Sequence, residues 1–267
     1  MSDLIKAFHK LHSGSDLLVL PNAWDAGSAR LFEEVGAKAI ATTSGGVAWA
    51  LGYPDGNALP AKLLASVVSR IVDVIHVPLT VDFEAGYSDE PKKVAENLKP
   101  IIDAGAAGIN IEDGEGSPDL LVLKIEQIRK EAEKRGVKLF INARTDVYLN
   151  EFGTPELRVR ETFSRAARYR AAGADGIFVP GLCENSDVKT VVTEVKMPVN
   201  VMAWPHLTSA RELFKLGVRR LSSGTAIPQV VWNHAAELAQ NFLKTGSASH
   251  VSENAMPYSK LQGLFSK

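Results

Sequence analysis

Gly105-Ala106-Ala107-Gly108-Ile109-Asn110-Ile111-Glu112-Asp113 is the stretch that decides the fold. A glycine tolerant of the left-handed conformation closes a helix, a short apolar run follows, and the run ends in carboxylates. Gly36-Ala37-Lys38-Ala39-Ile40 and Gly173-Ala174-Asp175-Gly176-Ile177 share the pattern. Gly136-Val137-Lys138-Leu139-Phe140 and Gly217-Val218-Arg219-Arg220-Leu221 echo it. The first three copies start at residues 36, 105 and 173, spaced 69 and 68 residues apart. Each interval has room for two strand–helix units, since a βαβ unit takes about 30 residues or more.

Eight strands follow from this reading: Leu17–Asn22, Ala37–Thr43, Pro78–Phe83, Gly108–Glu112, Lys138–Asn142, Gly176–Pro180, Pro198–Met202 and Arg219–Ser223. Most are short and apolar, as expected of parallel strands covered on both faces. Amphipathic segments lie between them, at Pro60–Val74, Pro91–Ala104, Leu120–Arg135, Pro155–Ala172 and Thr208–Leu216. Pro91 and Pro155 suit a first helical turn, and Ser209 or Thr208 suits a cap. Strict alternation predicts an α/β fold, a (β/α)8 TIM barrel formed as one domain over residues 1–267. A doubly wound sheet would carry a glycine-rich turn after its first strand, and Pro21-Asn22-Ala23-Trp24-Asp25 has none. A further helix at Val230–Thr245 and an apolar end at Leu261–Phe265 exceed what the barrel needs. That surplus is expected to pack on the barrel or, preferably, to reach a neighbouring subunit.

The bulk numbers narrow the function. Of 267 residues, 30 are Lys or Arg and 31 are Asp or Glu, a net charge of −1 that argues against nucleic acid as a partner. The single Cys183 excludes an internal disulfide framework and a multi-cysteine zinc site. No apolar run reaches the roughly 18 residues of a membrane span, so no membrane partner is expected and the default location is the cytoplasm.

In such a barrel the chemistry sits at the C-terminal strand ends. Three acidic groups gather there: Asp55, the pair Asp82 and Glu84, and Glu112 with Asp113. Buried carboxylates must be paired or bind a cation. Asp82, Glu84, Glu112 and Asp55 are oxygen ligands suited to Mg²⁺, with Mn²⁺ as substitute, and most would act through water. Helix caps and surface ion pairs are the plain alternative for any one of them. Ser44-Gly45-Gly46 reads equally as an anion-binding nest of amides or as a turn. Arg144 offers a fixed guanidinium for a carboxylate or enolate oxygen, or else an ion pair with Asp146 or a barrel carboxylate. Asn200 is a donor to a substrate carboxylate or a loop tether. His9, His12 and His250 read as surface residues, His76 precedes a strand, and His206 follows strand seven. Cys183 has no activating base nearby in sequence and reads as a small buried thiol.

Taken together, these residues resemble the isocitrate lyase/phosphoenolpyruvate mutase superfamily. The resemblance runs from Pro21-Asn22-Ala23-Trp24-Asp25-Ala26-Gly27-Ser28-Ala29-Arg30 through Thr43-Ser44-Gly45-Gly46, Asp82-Phe83-Glu84-Ala85-Gly86-Tyr87 and Ile111-Glu112-Asp113 to Asn142-Ala143-Arg144-Thr145-Asp146. It implies a Mg²⁺-dependent barrel acting on 2-oxo acids or their enolates, and a homotetramer that exchanges a C-terminal helix. By position, Asp82 corresponds to the direct metal ligand and to a substrate contact, and Asp55, Glu84 and Glu112 to water-mediated ligands. Ser44, Gly45 and Gly46 correspond to the substrate-carboxylate loop, Asn200 sits near another substrate contact, and Arg144 and Asp55 are the residues expected to serve catalysis. Glu84 stands where the family commonly has Asp. The loop after strand four reads Glu112-Asp113-Gly114-Glu115-Gly116-Ser117-Pro118-Asp119-Leu120, with neither the lyase Lys-Lys/Arg-Cys-Gly-His motif nor the mutase Lys-Thr-Asn motif. The resemblance therefore carries metal and oxo-acid binding but not the proton-transfer group.

The activity expected is Mg²⁺-dependent cleavage of a carbon–carbon bond in a small 2-oxo acid, by an oxaloacetate-like decarboxylase or lyase. Decarboxylation needs no base to take a hydroxyl proton; a retro-aldol lyase would need one, with Glu115, Asp119, Tyr87 or a metal-bound water as candidates. Carbon–phosphorus chemistry, by a phosphonopyruvate hydrolase or a phosphonomutase, is the alternative, and a non-catalytic 2-oxo-acid binder is the third reading.

Overall fold

The two glycines of the repeat have different jobs. Gly105 and Gly173 sit at φ 108° and 111° just past helix ends, where a side chain would be strained. Gly108 lines the barrel instead: a Cβ there would lie 2.8 Å from Phe8 Cε1 and 2.9 Å from the Phe140 carbonyl oxygen.

The computed structural model describes residues 2–266, without the side chain of His250, so the surface position expected for His250 lies outside the described residues. The strands are β1 (Leu18–Leu20), β2 (Asn22–Ala23), β3 (Ile40–Thr42), β4 (Leu79–Asp82), β5 (Gly108–Glu112), β6 (Phe140–Arg144), β7 (Gly176–Phe178), β8 (Val199–Met202) and β9 (Arg220–Ser222). The helices are α1 (Ser2–Leu11), α2 (Ala26–Glu34), α3 (Ser44–Ala50), α4 (Ala61–Val72), α5 (Pro91–Ala104), α6 (Pro118–Lys134), α7 (Pro155–Ala172), α8 (Asn185–Glu194), α9 (Ala210–Leu216), α10 (Ala226–Thr245), α11 (Ala248–Ser252) and α12 (Tyr258–Phe265).

All strand pairs are parallel, in the order β1-β9-β8-β7-β6-β5-β4-β3-β2. The first expected strand is broken at Pro21, which has no N–H to give a ladder. Its first half pairs with β9 and its second with β3, and this split brings the sheet round into a nearly closed TIM-like barrel. The sequence expectation of eight strands thus becomes nine segments in eight positions.

Pro91, Pro118 and Pro155 each open a helix, where a missing N–H costs nothing. Ser117, Thr154 and Ser209 cap α6, α7 and α9 through side-chain oxygens. Outward strand residues such as Ile109, Ile111, Ile141 and Ile177 are fully buried against the helices. Below the barrel, α1 seats Phe8 edge-on to Phe140 with ring centroids 5.4 Å apart, among Ile5, Leu18, Leu20 and Ala107. Burying a phenylalanine this completely stabilises by about 1.5–3 kcal/mol. His12, expected at the surface, is buried in this plug and stacks on Phe140 at 4.0 Å.

Candidate active site

Alternation along β5 and β6 sets the site in layers. Glu112 pairs in register with Arg144, and two residues below them Asn110 pairs with Asn142. Both pairs face inward because side chains alternate along a strand. The lower layer is a hydrogen-bonded floor: Asn142 Nδ2 donates to Asn110 Oδ1 at 2.9 Å and to Asn200 Oδ1 at 3.0 Å. Arg220 enters this floor with no solvent exposure, donating from Nη2 to Asn110 Oδ1 at 3.2 Å. Its Nε and Nη1 have no hydrogen-bond partner among the described residues. Burial pulls its pKa down to about 9, against the pull of the Asp82 charge.

Asp82 ends β4 just above that floor. Its backbone N–H donates to Thr42 Oγ1 at 2.8 Å, and its Oδ2 accepts from the Ser44 amide at 3.2 Å. Its Oδ1 is buried and receives no hydrogen bond among the described residues. A buried carboxylate oxygen without a partner is costly unless something else fills the place. Burial raises the Asp82 pKa, while Arg144 opposes the shift.

Glu112 Oε2 lies 2.9 Å from Arg144 Nη1. Arg144 gives its other edge to Asp146, with Nε 2.6 Å from Oδ1 and Nη2 2.9 Å from Oδ2. Burial works against the Arg144 charge, yet Glu112 and Asp146 hold it more firmly charged than usual. Burial pushes Glu112 up to about 8 against the pull of Arg144, and the negative charges of Asp82, Asp146 and Glu84 add to the shift.

Glu84 follows β4 in a left-handed conformation, φ 49°. Its Oε1 accepts from Tyr87 Oη at 2.6 Å and its Oε2 from the Asn57 amide. Burial raises the Glu84 pKa against these two hydrogen bonds. Asp55 was expected beside a strand end. Helix α3 intervenes after β3, so Asp55 lies in the loop after α3, exposed, its Oδ2 3.0 Å from where a Cβ on Gly45 would stand. Ser44, Gly45 and Gly46 open α3 rather than forming a free turn, with both glycines buried.

The structure therefore brings Asp82, Glu84, Glu112, Arg144, Ser44, Gly45 and Asp55 to one rim. Asn200 lies below it, 1% exposed, its Nδ2 directed to Val201 O at 2.6 Å and its Oδ1 taken by Asn142. Asp113 also turns away: Oδ2 accepts from Tyr169 Oη at 2.6 Å and Arg165 Nη1 at 2.9 Å, while Oδ1 accepts from the Asp146 amide. His206, at φ 70°, is exposed in the loop after β8. Cys183 is half-buried, and burial raises its pKa.

Sequence reasoning missed Asn57 and Arg220; it offered Asp146 or a barrel carboxylate as the ion-pair partner of Arg144, and the structure pairs Arg144 with both Asp146 and Glu112. Two adjacent arginines open the last strand, and alternation sends one of them inward; that was the available signal for Arg220. Beside the rim, a cavity of about 460 Å³ runs under residues 114–117 and is lined by Glu112, Glu115, Lys124 and Asp146 among others.

Among the described residues, no three His, Cys, Asp or Glu side chains converge closely enough to hold an ion alone. An ion at this rim would take few protein ligands and keep its waters, which is how Mg²⁺ is usually held. The buried, unpaired Asp82 Oδ1 and the all-oxygen donors fit such an ion.

The phosphoenolpyruvate phosphomutase family model matches residues 8–243. A Mycobacterium tuberculosis protein of uncharacterized function is 35% identical over 260 residues, covering 96% of this chain and 95% of its own. The 2-methylisocitrate lyase of Escherichia coli is 29% identical, covering 73% and 68%. Oxaloacetate decarboxylase 1 of Pseudomonas fluorescens is 28% identical, covering 81% and 77%. A crystal structure from Burkholderia cenocepacia, assigned provisionally as a phosphonomutase, is 39% identical with a TM-score of 0.84, over 89% of this chain and 99% of that one. A family match over most of the barrel, joined to carboxylates and an arginine at one rim, leads to one conclusion: the chain belongs to the phosphoenolpyruvate mutase/isocitrate lyase superfamily.

Proposed function

We propose that the chain is a Mg²⁺-dependent enzyme that cleaves a carbon–carbon bond in a small 2-oxo acid, as an oxaloacetate-like decarboxylase or lyase. The observation that carries this reading is the buried, unpartnered Asp82 Oδ1 at a rim shared with Arg144 and the Ser44 amide. Asp82 would be the direct ligand, with Asp55, Glu84 and Glu112 acting through water. When bound, the ion supplies Lewis acidity to the oxo oxygen of the substrate.

The residues present do the rest. The opening of α3 would present the Gly45 and Gly46 amides to the substrate carboxylate, the Ser44 amide being given to Asp82 Oδ2. Arg144 sits beside the position where enolate charge develops and is fixed there by Asp146, so it needs no reorganisation. Breaking the C3–C4 bond of oxaloacetate releases carbon dioxide and leaves the pyruvate enolate. Solvent then protonates that enolate at C3, and no side-chain base is required. The names of the decarboxylase and lyase relatives support this reading. The provisional name of the Burkholderia protein favours carbon–phosphorus chemistry instead. Against that, the loop beside the rim supplies Glu115, while Asp119 in the first turn of α6 pairs with Arg168 and Lys124 Nζ is committed to the Ala85 carbonyl at 2.8 Å.

A partner is proposed as well: further copies of this chain, joined through α10, to a homotetramer. Of the 20 residues of α10 only Pro228 is buried, and Val230, Trp232 and Leu243 stand exposed.

Purified protein supplied with oxaloacetate, or separately with phosphonopyruvate, tests the chemistry through pyruvate release. Oxaloacetate turnover above a protein-free Mg²⁺ blank, lost with EDTA and in Asp82→Ala, supports the proposal. Pyruvate and phosphate from phosphonopyruvate alone would replace it with carbon–phosphorus cleavage. Saturable oxo-acid binding without turnover of either compound would leave a binding protein.

A further inference from the structure

Asn57 belongs to the loop that carries Asp55, yet every polar contact it makes reaches across to the loop after β4. Its backbone N–H donates to Glu84 Oε2, and its Oδ1 accepts from the amides of Ala85 at 3.1 Å and Tyr87 at 3.4 Å. Tyr87 closes the circuit by donating from Oη to Glu84 Oε1 at 2.6 Å. Asn57, Glu84 and Tyr87 all adopt left-handed backbone conformations, at φ 60°, 49° and 59°. Three non-glycine residues in that region are an expensive way to build a turn, and the latch is what they achieve together. Asn is the side chain best able to hold this conformation while accepting from two amides.

We propose that Asn57 is a positioning residue: it locks the Asp55 loop to the Asp82–Glu84 loop, so that carboxylates from two separate segments of chain are held at one spacing for a divalent cation. The inference rests on the metal reading given above and adds to it the part that sets affinity. Without the latch, the hydrogen bond left between the Asp55 loop and the loop after β4 among the described residues is that of the Asn57 N–H to Glu84 Oε2, and Asp55 is exposed, with the neighbouring Gly56 amide donating to its Oδ1. Asp82 would keep its own environment, because Thr42 and Ser44 hold it from the other side. The loss therefore falls on ion affinity rather than on the bond-breaking step.

Asn57→Gly is the informative variant, since glycine keeps both the left-handed backbone and the N–H and removes only Oδ1. Asn57→Asp keeps an acceptor. Mn²⁺ binding to the metal-free protein, followed by the electron paramagnetic resonance of free Mn²⁺, gives the affinity without any turnover. Asn57→Gly is expected to weaken Mn²⁺ binding by about tenfold or more, and Asn57→Asp to stay near the unmodified chain. With oxaloacetate, the Mg²⁺ concentration for half-maximal rate should rise similarly in Asn57→Gly, with kcat at saturating Mg²⁺ nearly unchanged. Equal Mn²⁺ affinity in Asn57→Gly and the unmodified chain overturns the role of Asn57 while leaving the metal site standing. No Mn²⁺ binding by the unmodified chain overturns the metal reading itself. If Asn57→Gly fails to fold, Asn57→Ala removes the same acceptor and keeps the N–H, and unchanged Mn²⁺ affinity there overturns the latch.

Discussion

Arg144 and Glu112 face each other across β5 and β6 with Nη1 and Oε2 2.9 Å apart, and this pair sits at the centre of a charge network that no single residue balances. Arg144 is the cation for Glu112 and Asp146 at once, and both carboxylates are largely buried. Arg144→Met would leave two buried carboxylates unpaired. The expected loss is about 3–5 kcal/mol of stability, read by urea unfolding, with oxaloacetate turnover abolished. Arg144→Lys keeps a charge but cannot serve both partners with a fork, so it should recover part of the stability and little of the activity. Full stability in Arg144→Met would show that the two carboxylates are protonated or solvated rather than paired.

The opening of α3 is a matter of space. A Cβ on Gly46 would lie 2.8 Å from Thr43 Cγ2 and 3.0 Å from Trp24 Cβ. A Cβ on Gly45 would lie 3.0 Å from Asp55 Oδ2 and 3.0 Å from Thr225 Cγ2. Gly46→Ala is therefore expected to destabilise by about 1–3 kcal/mol, since its neighbours are packed side chains near the backbone. Gly45→Ala should push the exposed Asp55 instead, lowering turnover more than it lowers the melting temperature. Thermal melts beside oxaloacetate assays separate the two, and equal loss of stability in both variants would count against this division.

Much of this barrel can be read from the chain. The Gly-Ala repeat marks helix ends and strand starts because a left-handed C-cap and an apolar run are both local features. Pro91, Pro155 and Ser209 mark helix starts for the same reason. The helices α1, α2, α3 and α8 escape such reading: α3 begins with Ser44-Gly45-Gly46, which locally favours a turn, and packing against Trp24 and Pro228 decides the matter. Asp82, Glu112 and Arg144 are legible at the rim because polar residues ending apolar strands stand out. Asp146 is legible too, because it stands two residues beyond Arg144 and within reach of its guanidinium; Asn57 is not, because its partners lie 27 to 30 residues away. Asn200 shows the limit from the opposite side: two positions along a strand separate the rim from the floor, and pattern alone does not fix which layer a side chain joins.

His12 gives a pH signature away from the rim. Its Nδ1 donates to the Phe8 carbonyl at 2.9 Å, and its Nε2 is buried without a partner. Burial, helped by the Arg220 charge, pulls its pKa down to about 3 from 6.5. The folded chain thus refuses a proton that the unfolded chain binds. Stability is fully present above pH 6.5 and falls as the pH drops towards 3, at about 1.4 kcal/mol per pH unit for this group. His12→Gln keeps a donor for Phe8 and removes the titration. The difference in unfolding free energy between the two proteins should shift by about 3 kcal/mol in favour of the variant between pH 7 and pH 4. A difference independent of pH would place the acid sensitivity elsewhere.

The outer wall of the barrel at β1 and β9 makes the last prediction. Val19 and Val35 are 51% and 75% exposed there, and with Phe32, Leu221 and Ile227 they line a groove of about 530 Å³. In a closed ring of strands this wall needs a helix, and α10 is next in the chain. Yet past Ile227 α10 leaves the wall bare and carries Val230, Val231, Phe242 and Leu243 into the open, with Trp232 half-exposed opposite Trp49, while α12 returns to seat Leu264 on α2 through the bond from Arg30 Nε to the Leu264 carbonyl. Bare apolar wall and bare apolar helix in one chain are two halves of a contact that another copy can complete. Light scattering is expected to give a mass several times that of the 28.8 kDa chain, with a tetramer as the proposed assembly. Trp232→Glu and Leu243→Glu should lower that mass without unfolding the barrel, because neither side chain packs in its core. A unmodified chain that remains monomeric at high concentration would sink the assembly while leaving the site chemistry untouched.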